Sequence, residues 1–80
     1  MGYLENSKVI KVGAIFGSGK ITPKWFIWEN RKYIIQSINY VWEDRQGKEK
    51  LTNFSVSDGT NSYEITYNSH RMSWSLNKIE

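Results

Sequence analysis

Apolar and polar side chains alternate with period two along nearly the whole chain, and no segment holds a helical period. Alternation of this kind sends successive side chains to opposite faces of a sheet, one buried and one wet. It predicts six strands, at about residues 8–16, 24–29, 32–43, 50–57, 62–67 and 72–79. Turn-forming stretches separate them: GSGKITP, Asn30-Arg31, DRQGKE, Asp58-Gly59-Thr60-Asn61 and Asn68-Ser69-His70-Arg71. In the first strand Ile10, Val12, Ala14 and Phe16 share one face.

Strand registers follow from asking which pairings bring like faces together. A two-residue turn at Asn30-Arg31 sets Glu29 opposite Lys32, Trp28 opposite Tyr33 and Phe26 opposite Ile35. A four-residue turn at 58–61 sets Val56 against Tyr63 and Phe54 against Ile65. A four-residue turn at 68–71 sets Tyr67 against Met72, Ile65 against Trp74 and Tyr63 against Leu76. Each hairpin then carries one continuous apolar face, a consistency expected of a specified fold.

The third strand changes sides partway. Tyr33 and Ile35 lie on its odd face, whereas Ile38, Tyr40 and Trp42 lie on its even face. A regular strand cannot do this, so a β-bulge or sharp bend is expected near Gln36-Ser37. A strand bent there can serve both halves of a closed or nearly closed barrel. The expected fold is all-β: a small antiparallel meander barrel or rolled sheet, with strands neighbouring in chain order. Residues 1–7 read as a flexible N-terminus and residues 8–80 as a single small β-barrel-like domain.

Composition narrows the picture further. Eighty residues give one thin core, and the lack of cysteine removes disulfides and thiolate metal sites, so an aromatic content of 15% must do the packing. No apolar run has the length of a membrane span, and MGYLENSKVI lacks a secretory profile, so a cytoplasmic protein is expected. The net charge of +3 is unevenly spread. Residues 1–24 hold four lysines against Glu5, while residues 25–80 hold seven basic and seven acidic side chains. That asymmetry points mildly to an anionic partner.

The run FIWENRKYIIQSINYVW, followed by SYEITYN and the closing SWSL, resembles small bacterial all-β proteins of unknown function. Those carry an aromatic-x-Trp, a basic tight turn, a Tyr-x-apolar step and a closing Trp-x-Leu, often with Gly where this chain has Asn30. The resemblance implies a bacterial origin and a β fold, and it transfers no catalytic residue.

Candidate chemistry is sparse. GAIFGSGKIT, residues 13–22, comes near a phosphate-binding loop, but Ile21 stands where the magnesium-holding Ser or Thr belongs. Pro23 and a strand-like run follow where a helix must start, so the stretch reads as a glycine-rich turn. His70 lies in a turn beside Ser69, and neighbouring residues do not aim at each other as a catalytic pair. Glu43 and Asp44 would point to opposite faces of a strand. No second histidine is present to complete a metal site, and Asp58-Gly59 resembles a calcium loop only in its first letters. Neither catalysis, a cofactor nor a metal is therefore expected.

What remains is a surface. With Phe26, Trp28, Tyr33 and Ile35 inward, Trp25, Ile27 and Ile34 face the other way, flanked by Lys11, Lys24 and Lys32. These six residues form a candidate binding patch for a macromolecule. Nucleic acid is slightly favoured, with bases on the aromatic ring and phosphates on the lysines. The alternative is a protein docked on the same apolar patch. The competing structural expectation is that the N-terminal strand covers Trp25. Barrel closure would hide it equally well. A ligand-filled barrel interior is not expected, since aromatic side chains fill it.

Overall fold

The computed structural model describes residues 2–80, with side chains from Ser7 onward. Seven strands form one antiparallel sheet: β1 (Gly2–Gly17), β2 (Lys20–Trp28), β3 (Arg31–Ile34), β4 (Ser37–Gln46), β5 (Glu49–Ser57), β6 (Ser62–Asn68) and β7 (Ser73–Ile79). Their order is β3-β2-β1-β7-β6-β5-β4, so the first and last strands of the chain pair in the middle. The sheet curls into a partly open barrel. Consecutive strands are neighbours everywhere except at β3 and β4, which form its two edges.

Those edges are one strand, interrupted at the expected place. Ile35 and Gln36 separate β3 from β4. The N–H of Ile35 donates to the Lys24 carbonyl at 2.9 Å, on the β2 side. The N–H of Gln36 donates to the Ser57 carbonyl at 2.8 Å, on the β5 side. Within two residues the chain changes partner from one half of the sheet to the other. A second irregularity follows at Asn39, where the pairing skips from Ile38–Val56 to Tyr40–Ser55. This bulge corrects the expected common face: Ile38 packs against the core, while Tyr40 is 72% exposed on the other face with Trp42.

Two expected registers are also corrected: β2–β3 by two residues, and β6–β7 by two residues from Ile65 to Asn68 and by three at Tyr63, which pairs with Ile79 beyond a bulge at Glu64/Ile65. In the β2–β3 hairpin Phe26 pairs with Tyr33, Trp28 with Arg31 and Ile27 with Lys32. The turn residues are Glu29 and Asn30, both at positive φ (51° and 64°), as a type I′ turn requires at both central positions. In β6–β7, Tyr67 pairs with Trp74 and Ile65 with Leu76, leaving Met72 in the turn at φ 53° and 79% exposed. A two-residue shift keeps every side chain on its face, so the apolar pattern could not reveal it. The β5–β6 register, with Phe54 on Ile65 and Val56 on Tyr63, is as expected. β1 begins at Gly2 rather than near residue 8, and β2 at Lys20 rather than Lys24.

The core lies inside the curl and is aromatic at both ends. Phe26 stacks on Tyr33 (4.9 Å, 12° between planes) and meets Tyr63 edge-on at 5.1 Å, joining β2 to β6 across the interior. At the other end Trp74 packs against Tyr67 at 4.9 Å and Phe54 at 5.6 Å, with Phe16 against Tyr67. Between them Ile65, Leu76 and Val56 are fully buried. Each such side chain contributes roughly 1.5–3 kcal/mol by leaving water.

The last hairpin provides a test. Trp74→Ala removes a buried ring and should cost roughly 3–5 kcal/mol, a large share of the stability of so small a domain. Met72→Ala should change stability by less than about 0.5 kcal/mol, because that side chain is in water. Urea melts of the two variants measure both; equal losses would restore the Tyr67–Met72 pairing.

Candidate functional site

Glycine inside a strand usually marks a close approach, and Gly13 is such a case. It sits in β1 opposite Trp25 of β2, and Trp25 in turn pairs with Ile34 of β3. A Cβ on Gly13 would collide with Cε2, Nε1 and Cζ2 of Trp25 at nearly equal distances. Three bonded ring atoms equally near mean that the indole turns its face, not its edge, toward Gly13. The ring therefore lies flat on the outer surface of the sheet, half-buried. Lys32 completes the arrangement, with its Nζ 4.8 Å from the Trp25 ring centroid.

The neighbouring row across the same strands is Lys11, Ile27 and Lys32. The structure thus brings Lys11, Trp25, Ile27, Lys32 and Ile34 onto one face, in two adjacent rows. Lys24 stands at the margin. It is the extra residue of a bulge, because Gly13 pairs with Trp25 but Ala14 pairs with Pro23. The bulge also accommodates Pro23, which has no N–H to give to a ladder. β1 lies beside β2 rather than over it, so Trp25 is not covered by the N-terminal strand.

Two apolar members of this surface escaped the sequence reading. Val9 is 83% exposed and Ile15 is 58% exposed, and both share the parity of Lys11 and Gly13 on β1. The signal was present: if Ile10, Val12, Ala14 and Phe16 face inward, the intervening residues face outward. Among the described residues the rows Lys11-Ile27-Lys32 and Gly13-Trp25-Ile34 hold no acidic side chain, and Glu29 follows in the β2–β3 turn.

The outer surface of β5, β6 and β7 has a different chemistry. Thr66 Oγ1 donates to Asn53 Oδ1 at 2.6 Å, Asn77 Nδ2 donates to Thr66 Oγ1, and Ser75 and Ser7 both donate to Asn77 Oδ1. Asn53 and Thr66 are buried, so this uncharged ladder satisfies groups that would otherwise be costly. The curled sheet thus presents an uncharged polar ladder on β5, β6 and β7 and a basic, apolar face on β1, β2 and β3.

The remaining candidates stay apart. Lys20 opens β2 after a two-residue turn of Ser18 and Gly19 at positive φ, with no helix following. His70 is exposed in the β6–β7 turn. Glu43 pairs with Lys50 at 3.1 Å on the surface, while Asp44 accepts from the Arg45 amide. Among the described residues no group of three or more His, Cys, Asp or Glu stands together to hold a metal ion. Among the described residues no helix is long and apolar enough to cross a membrane.

Set against protein-family models, characterised proteins and solved structures, the chain finds no match.

The flat seat of Trp25 depends on the missing side chain beneath it. Gly13→Val should lift the indole off the sheet and destabilise the domain by roughly 1–3 kcal/mol, the range for over-packing a fitted contact. The Trp25 indole N–H resonance should move and its protection from a soluble quencher should fall, while Trp74 keeps its environment. An unchanged Trp25 signal would contradict the flat packing.

Proposed function

We propose that the chain is a non-catalytic binding domain that holds single-stranded nucleic acid against the outer face of β1, β2 and β3. The observation that carries this reading is the Trp25 indole, flat on the sheet over Gly13, with Lys32 against its ring and Lys24 and Lys11 at adjacent positions. A ring held this way has already lost its freedom, so a base stacks on it without a further ordering cost. Stacking on an aromatic side chain is worth about 1–3 kcal/mol per base. The Lys32–indole contact it displaces is worth only about 0.5–1 kcal/mol at an exposed site. Lys32 is then free to meet a phosphate, together with Lys11 and Lys24.

A second reading rests on the exposed aliphatics. Val9, Ile15 and Ile34 add nothing to base stacking, but they would add apolar area under an acidic protein partner.

Titration with a short oligothymidine, followed by tryptophan fluorescence and by chemical shifts, tests the proposal. Trp25 should be quenched, and affinity should fall steeply with salt. Lys11→Gln and Lys24→Gln together should reduce the salt slope by about 1.4, two single-strand phosphate contacts' worth. Absence of binding at low salt removes the nucleic-acid reading. A protein partner would instead be insensitive to the double lysine change and lost with Trp25→Ala.

A further inference from the structure

At one end of the barrel the β2–β3 hairpin faces the β5–β6 turn across a cavity of about 350 Å³. Its walls include Trp28, Tyr33 and Tyr63. Tyr33 lies 6.3 Å from Trp28 and 5.6 Å from Tyr63 between ring centroids, and it makes an angle of 61° with Tyr63. Trp28 and Tyr33 are half-buried and line this space, while Tyr63 is buried and is held to Asp58 through its hydroxyl. Asp58 stands in the same lining.

The state of Asp58 is informative. Its Oδ1 accepts from the amides of Thr60 (2.9 Å) and Asn61 (2.7 Å), and its Oδ2 accepts from the Tyr63 hydroxyl at 2.9 Å. These neutral donors, the Asn61 amide foremost, hold its carboxyl below the ordinary value of 3.8, so it is charged at neutral pH. The ion pairs among the described residues are Lys50–Glu43, Arg71–Glu49 and Lys78–Glu80, and Asp58 is in none of them. The cavity therefore holds a carboxylate that makes no ion pair, together with aromatic rings that attract cations.

The protein itself demonstrates that attraction. The Arg31 guanidinium lies 5.6 Å from the Tyr33 centroid and lines the same cavity. Arg31 is exposed and forms no ion pair among the described residues, so a better-fitting cation can displace it.

Hydrogen-bond accounting selects the kind of cation. A carboxylate offers about four acceptor positions, and three of those on Asp58 are taken. A primary ammonium or a guanidinium would bring several N–H donors to a carboxylate with one acceptor position left, and those donors would have to give up water to approach the rings. A fully methylated ammonium has no N–H to satisfy and presents an apolar coat to the rings.

We propose that this aromatic end cavity, with Asp58 at its rim, binds a quaternary or trimethylated ammonium group. That chemistry occurs on free choline-like molecules and on trimethylated lysine in a peptide. The site is separate from the lysine-flanked outer face and stands independently of it.

The test is a heteronuclear NMR titration of the whole chain at constant ionic strength, with tetramethylammonium chloride as the first probe and ammonium chloride as the control. Saturable shifts confined to Trp28, Tyr33, Tyr63 and the 58–61 turn are expected for the methylated ion alone. Choline in one arm, and a trimethyl-lysine peptide against its unmodified counterpart in another, distinguish the two sources. Arg31→Gln removes the resident cation and should tighten binding about two- to five-fold. Asp58→Asn, checked for a native spectrum, should weaken it about ten-fold. Should that variant unfold, the Arg31→Gln result still decides. No saturable shift with tetramethylammonium, equal response to ammonium, or weaker binding in Arg31→Gln would overturn the proposal.

Discussion

Two backbone hydrogen bonds, from Ile35 to Lys24 and from Gln36 to Ser57, hold the halves of this molecule in register. They lie one residue apart and point to opposite partners. Because the chain turns there without a loop, β2 and β5 are tied to the same short segment, and the sheet must curl. Curling encloses Phe26, Tyr63 and Ile65, and it sets the terminal strands β1 and β7 side by side. A chain without cysteine has no covalent means of imposing such closure. Closure rests on this bend and on the aromatic contacts that cross the interior.

Much of this was legible from the chain alone, for reasons that can be named. The change of parity between Ile35 and Ile38 located the bend, because a strand cannot change faces otherwise. The β5–β6 register was legible because Asp58 closes its own turn through Thr60 and Asn61, fixing the loop length. The β2–β3 register was two residues out, and the β6–β7 register two residues out next to its turn and three beyond the Glu64/Ile65 bulge. There the turn is chosen by positive φ at Glu29 and Met72, residues with no marked preference for it. The Asn39 bulge left no trace, since Tyr40 and Trp42 are as apolar as core residues yet lie on the exposed edge strand.

The candidate surface was proposed from parity as well; five of its six residues share two rows across β1, β2 and β3, and Lys24 stands at the margin as the extra residue of a bulge. Sequence alone could not show that Trp25 lies flat, because that depends on which residue of β1 stands opposite. The answer is Gly13, a residue first noticed as part of a false nucleotide loop. The end cavity was missed for a related reason. Trp28, Tyr33 and Tyr63 read as core aromatics, and only the curl places Asp58 beside them.

The dependence of the whole fold on the bend is best measured by amide hydrogen exchange at Ile35 and Gln36. Both N–H groups should exchange as slowly as those of Phe54 and Ile65, opening only when the domain unfolds globally. Fast exchange at Ile35 and Gln36, with β5 and β6 still protected, would show that the two halves are not joined there and would contradict the closure described.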